Sequence, residues 1–218
     1  LTARIFHDRR EAGQLLAPLL STYAGRSDAI VLALPRGGVP VAREVARALD
    51  APLDIFTVRK LGVPGHEELA MGAIAAGGVE VLDRNLIGKL GLSRAEIERT
   101  VERERDELER RLHLYRGRRP DLHVEGMVVI LIDDGLATGA SMFVAVRALR
   151  KLRPARIVIA VPVGAADTCA MLRRQADEVV CYESPATFHG VGAWYDDFQQ
   201  LTDDDVRALV DEAELERR

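Results

Sequence analysis

At 218 residues the chain has the length of one α/β domain with a small appendage. It is 48% hydrophobic and 29% charged, a globular balance that excludes disorder as the global state, and no stretch approaches the ~20 apolar residues of a membrane span. Thirty basic against 34 acidic side chains give a formal net charge of −4, which offers no support for non-specific nucleic-acid binding. The two cysteines, Cys169 and Cys181, lack the spacing of a zinc site or a disulfide framework. Leu1-Thr2-Ala3-Arg4 does not open a signal peptide. These features make a cytoplasmic protein, with neither nucleic acid nor membrane as partner, the expectation.

From the N-terminus, Leu15, Leu16, Leu19 and Leu20 recur at helical spacing and predict a helix over 11–24. A strand over 29–34 is stopped by Pro35 and Gly37-Gly38, a helix follows over 39–49, and a second strand over 53–58. Residues 59–69 read as a polar loop bearing Gly and Pro, and 71–76 with 79–82 as a hairpin about Gly77-Gly78. Ser93 with Glu96 is a capping-box pair that opens an inserted, charged helix over 93–116. Its narrow apolar stripe is Ile97, Val101, Leu108 and Leu112, and its mixed charges predict a largely solvated helix laced with ion pairs. Strands over 127–132, 156–161 and 178–182 then alternate with helices to 152, over 165–175 and over 202–214. Such alternation predicts a single domain over 1–218, a mostly parallel twisted sheet flanked by helices, with a small hood or C-terminal segment over 183–218.

The chemistry concentrates at the end of the most apolar strand. Ligands of open α/β sheets bind outside the carboxyl ends of the strands, which is where Asp133 and Asp134 stand. Two acceptor-only carboxylates suit the vicinal hydroxyls of a ribose. Ala137, Thr138, Gly139, Ala140 and Ser141 are small, carry two hydroxyls and open a helix, so their amides suit a phosphate. As polar positions at a strand exit, both acids read as removable at a stability cost within about 1 kcal/mol. A phosphate-receiver or phosphohydrolase site built on the same Asp pair is the rival from another class.

The string VVILIDDGLATGAS, residues 128–141, resembles the phosphoribosyl-diphosphate signature of type I phosphoribosyltransferases, and the likeness extends over roughly residues 28–185. It implies that family's fold and an Mg2+-dependent transfer of the 5-phosphoribosyl group from 5-phosphoribosyl 1-diphosphate to a nitrogenous base. It also implies a place in nucleotide salvage and a homodimer. Asp133, Asp134 and Lys60 would form the catalytic set, with Ala137 to Ser141 holding the 5-phosphate. Leu34-Pro-Arg-Gly-Gly38 is similar to the family's diphosphate turn, which gives Arg36, Gly37 and Gly38 to the pyrophosphate.

Arg59 and Lys60, in Val58-Arg-Lys-Leu-Gly62, resemble the start of the mobile loop in adenine-type members and would join them, with 59–69 closing over the substrate. Magnesium would be held through substrate oxygens, with no direct protein ligand. Ala137 stands where hypoxanthine-guanine members carry an acid, a departure that weakens a 6-oxopurine assignment. Phe188 and Trp194, near Tyr195 and Phe198, suit a hood that stacks on the base, or a satellite core that anchors the C-terminal segment. A non-catalytic sensor of nucleotide or sugar diphosphate on the same fold is the alternative function.

Overall fold

The computed structural model describes residues 5–117, 119–120 and 122–216, so the 1–4 segment read above lies outside it, as do the last two residues of the 183–218 segment. Helix α1 (Arg9–Leu16) runs into a 3-10 turn (Ala17–Tyr23), followed by β1 (Ala29–Ala33), α2 (Gly38–Leu49) and β2 (Leu53–Ile55). The chain then leaves for a layer made of β3 (Val58–Val63), β4 (His66–Ala75) and β5 (Val79–Leu82), with α3 (Arg84–Leu90) and α4 (Arg94–Arg116) packed on it. It returns through β6 (Val128–Ile132), α5 (Ala140–Lys151), β7 (Arg156–Val163), α6 (Ala166–Leu172), β8 (Glu178–Glu183) and α7 (Asp203–Glu216).

Five strands pair in the order β2-β1-β6-β7-β8, every pair parallel, and β3, β4 and β5 form a separate antiparallel sheet. The predicted mostly parallel sheet flanked by helices is the architecture found. Burial on both faces explains why the central strands read as continuous apolar runs rather than alternating ones. Val31 of β1 with Ile130 and Ile132 of β6 faces α2 and α7, through Val41, Val45, Val206 and Val210. The intervening Leu32, Val129 and Leu131 face α5 and α6, through Met142, Val146, Leu149 and Leu172. The register pairs Ala33 with Ile132, so β1 and β6 end side by side. That alignment places the site.

Four elements depart from the sequence reading. Pro18 stands near the start of the 3-10 turn; a proline cannot continue the α-helical ladder, so the helix over 11–24 is divided after Leu16. The strand over 53–58 ends at Ile55, and the supposed loop over 59–69 is most of a hairpin, with only Pro64 and Gly65 in its turn. Register shifts beside Leu61, Gly62 and Val63 break the alternation that would have marked β3 as a strand. Short α3, capped by Asp83 at Leu86 N, was not predicted.

Helix α4 carries the predicted capping box, but it is not a free solvated helix. Val101 and Leu108 are buried with Leu61, Met71 and Ile74 of the hairpin layer, and Tyr115 is buried against the main core. Two substitutions measure this docking by urea denaturation. Leu108→Ala is expected to cost about 3 kcal/mol, as for a packed core leucine, whereas Ser93→Ala at the cap is expected to cost about 1 kcal/mol. A Leu108→Ala cost below that of the cap would show α4 undocked from the hairpin.

Candidate functional site

The turn leaving β1 presses directly against the acids leaving β6. Gly37 has room for nothing more: an added Cβ would stand 2.0 Å from Asp134 Oδ2. At Gly38 it would stand 2.7 Å from the Ile132 carbonyl oxygen and 2.9 Å from Asp133 Cα. The turn is anchored by Leu34 N donating to Ile132 O at 2.8 Å and Gly38 N donating to Leu34 O at 3.1 Å, and its Pro35–Arg36 peptide is cis. Beside it opens a cleft of about 450 Å³ whose wall includes Pro35, Arg59, Lys60, Asp133 and Ser141. Three segments far apart in sequence, each singled out by its own motif, thus meet on one cavity.

Asp133 and Asp134 have different surroundings. Asp133 faces the cleft, and the Asp134 amide donates to its Oδ1 at 2.9 Å, which fixes the carboxylate's orientation. Burial, and then the Asp134 charge, push the Asp133 carboxyl well above the usual range. Asp134 is raised by burial too, but Arg9 opposes the rise, with Nε donating to Oδ2 at 2.8 Å. That ion pair is enclosed: its side chains are only 11% and 14% exposed. The Arg9 guanidinium lies over the Phe198 ring at 3.9 Å and also donates to Gln199 O, while Tyr195 Oη donates to the Asp134 carbonyl at 2.6 Å. Asp134 is therefore not the removable surface carboxylate expected from its place at a strand exit, because a buried arginine depends on it.

The segment after these acids is pinned from behind. Leu136 N donates to Val163 O at 2.9 Å, and Thr168 Oγ1 donates to Ala137 O at 2.7 Å. Gly139 has φ +70°, where side chains are strained, and a Cβ there would meet Thr168 Cγ2 at 2.6 Å. Ala137, Thr138, Ala140 and Ser141 stay exposed. The first amides of α5 lack intrahelical acceptors and suit an anion.

Two of the expected cations are paired with acids on neighbouring elements. Arg59 donates twice to Glu104 Oε2 of α4, at 2.6 and 2.9 Å, and Lys60 Nζ stands 3.4 Å from Glu68 Oε2 on β4. Arg36 is half-buried and has no ion pair among the described residues. Trp194 is 9% exposed and sits with Phe6, Val163 and Tyr195 in a satellite cluster, with Phe188 partly buried at its edge. The hood aromatics thus pack on the protein, the arrangement of the satellite-core alternative. Among the described residues no three His, Cys, Asp or Glu side chains are grouped to hold a metal.

Arg9, Thr57, Glu104 and Arg111 complete the neighbourhood and were missed by sequence reasoning. Arg9 lies 125 positions from its partner, and nothing in the run Asp8-Arg9-Arg10 distinguishes one arginine from the other. Glu104 and Arg111 belong to the mixed-charge pattern of α4, which looks the same whether it meets a cleft or water.

Residues 5–197 match the family model of the phosphoribosyl transferase domain. Two Mycobacterium tuberculosis proteins, provisionally named phosphoribosyl transferases, are 43% identical to the chain over 210 residues, 96% of this chain and 47% of each relative. The chain thus spans about half the length of the curated relatives it matches. The crystal structure of TT1426 from Thermus thermophilus is 44% identical and superposes with a TM-score of 0.86, covering 96% of this chain and 99% of that one.

The unequal acids give opposite expectations for stability. Native Asp133 holds its proton to higher pH than the unfolded chain does, so its ionisation is a cost that sets in as pH rises past the ordinary carboxylate range and is complete above the native value. Asp133→Asn should melt above the parent at pH 7, with the gain shrinking toward pH ~4 as the parent carboxyl protonates. Asp134→Ala should lose about 2 kcal/mol, since Arg9 loses a buried counter-ion and relief of repulsion offsets only part of that. Thermal melts of both variants across pH check this; two variants within experimental error of the parent would return both acids to the surface.

Proposed function

This chain belongs to the phosphoribosyl transferase domain family, and we propose on that footing that it moves the 5-phosphoribosyl group of 5-phosphoribosyl 1-diphosphate onto a nitrogenous base. The observation that carries the reading is the single cleft onto which Asp133, Ser141 and the Arg59-Lys60 pair all open. In this reading the exposed stretch from Ala137 to Ser141 takes the 5-phosphate, and Asp133, oriented by the Asp134 amide, accepts hydrogen bonds from the ribose hydroxyls. Asp134 acts through its pairing with Arg9, keeping the exit of β6 in position.

The bond from ribose C1 to the diphosphate oxygen breaks as a base nitrogen forms its bond to C1 from the opposite side. The electron pair leaves with pyrophosphate. Arg36, Arg59 and Lys60, with the amides of Gly37 and Gly38, stabilise the charge that develops there. Positive charge that grows on the ribose ring is countered by Asp133. Magnesium, when bound, would neutralise diphosphate charge; the fit is to a metal carried largely by substrate oxygens, since the cleft offers dispersed carboxylates rather than a cage. The hairpin of β3 and β4 forms one wall of the cleft, and its closeness supports exclusion of water, whose attack on the sugar diphosphate is the competing reaction.

The test is isotopic. Phosphoribosyl diphosphate labelled in its diphosphate, incubated with magnesium and a panel of purine and pyrimidine bases, is expected to release labelled pyrophosphate with at least one base. That release should fall at least tenfold in Lys60→Ala, the loss of one charged contact to the leaving group. Tight binding of the labelled compound without base-dependent release across the panel would overturn transfer and assign a sensor.

A further inference from the structure

One cation on the cleft has no role among the assigned residues. Arg111, on α4, stands on the cleft wall. Its ion pair is to Glu107, one turn back on the same helix, at 2.6 Å. Arg110 uses that same carboxylate, with contacts of 2.8 and 3.1 Å. One Glu107 carboxylate therefore serves two guanidiniums.

The Tyr115 hydroxyl, which donates to Asp203 at 2.6 Å, feels both Arg36 and Arg111, which oppose the rise to about 12 driven by burial and Asp203. Both arginines thus act on the same hydroxyl although they sit on different elements. An independent sign that the cleft expects a polar ligand is Thr57. It is 1% exposed and lines the cleft, and its Oγ1 is one of two buried side-chain polar atoms without a hydrogen-bond partner among the described residues. A buried hydroxyl left unpaired is costly until a polar partner joins it.

We propose that α4 is part of the substrate site and that Arg111, on the same cleft as Arg59 and Lys60, binds the diphosphate end of phosphoribosyl diphosphate. The inference rests on the transferase reading and extends it to the inserted helix. A guanidinium presents a planar fork that matches two phosphate oxygens, which a solvated surface arginine has no reason to be aimed at. Arg111 is then a leaving-group residue, and its contribution grows as charge moves onto the diphosphate.

Equilibrium titrations of the full chain with three probes, in magnesium buffer, decide it: phosphoribosyl diphosphate, inorganic pyrophosphate and ribose 5-phosphate. Arg111→Gln is expected to weaken the two diphosphate ligands about tenfold or more and leave ribose 5-phosphate unchanged, since that probe lacks the diphosphate. Glu107→Gln breaks the same ion pair but keeps the guanidinium, and is expected to bind all three at least as well as the parent. Unchanged diphosphate binding in Arg111→Gln would overturn the proposal. Equal loss of all three probes, or the same loss in Glu107→Gln, would also overturn it by showing that Arg111 acts through the helix. A parent chain that binds none of the three would instead bring down the transferase reading itself. A parent that binds all three but transfers to no base contradicts transfer while leaving the Arg111 result valid.

Discussion

Two turns, one after β1 and one after β6, pack directly on each other because the glycines of the first put no side chain between them. Gly37 touches the Asp134 carboxylate and Gly38 touches the backbone of Ile132 and Asp133. Parallel pairing of Ala33 with Ile132 makes the meeting unavoidable, and the absent Cβ atoms make it possible. Everything functional is hung on this contact. It sets a potential anion-binding turn beside a pair of carboxylates that repel each other. Arg9 relieves that repulsion from behind, held in turn by Phe198, Gln199 and the surroundings of Tyr195. The C-terminal segment therefore stabilises the acids as well as covering them.

A second layer gives the cleft its far wall. Because β2 is only three residues long, the chain leaves the parallel sheet early, at Phe56 and Thr57, and builds the antiparallel layer above the strand exits. Helix α4 is glued to that layer by the stripe from Ile97 to Leu112, and its other side reaches the cleft through Glu104 and Arg111. Cations and carboxylates interleave around the cavity: Arg59 with Glu104, Lys60 with Glu68. On the transferase reading a diphosphate would draw these cations from their carboxylates, because it offers a cation more oxygens and more charge than one carboxylate does.

The parallel sheet was legible because strands buried on both faces leave uninterrupted apolar runs such as 128–132, and the helices between them keep an apolar stripe. The acids and the loop of small residues after them were legible as a candidate site because they fall in one short string, residues 133–141. The hairpin was not: Gly62, Pro64 and Gly65 signal a loop, and the register shifts beside Leu61 and Gly62 erase the two-residue period. Arg9 and Arg111 were hidden for another reason. A surface arginine and one aimed into a cleft have identical local sequence, and only tertiary packing separates them. Trp194 shows the converse, since an aromatic cluster among glycines fits both a hood and a satellite core, and its packing with Phe6 was not visible in the local sequence.

The central claim concerns where a phosphorylated sugar sits, so a crystal structure of the full chain grown with ribose 5-phosphate tests it most directly. The account predicts the phosphate against the amides from Ala137 to Ser141 and at least one ribose hydroxyl on Asp133, with the Arg9–Asp134 pair intact behind them. Sugar density anywhere else, or a crevice between the two glycine-contacted turns that protein side chains fill in the presence of ligand, would contradict it.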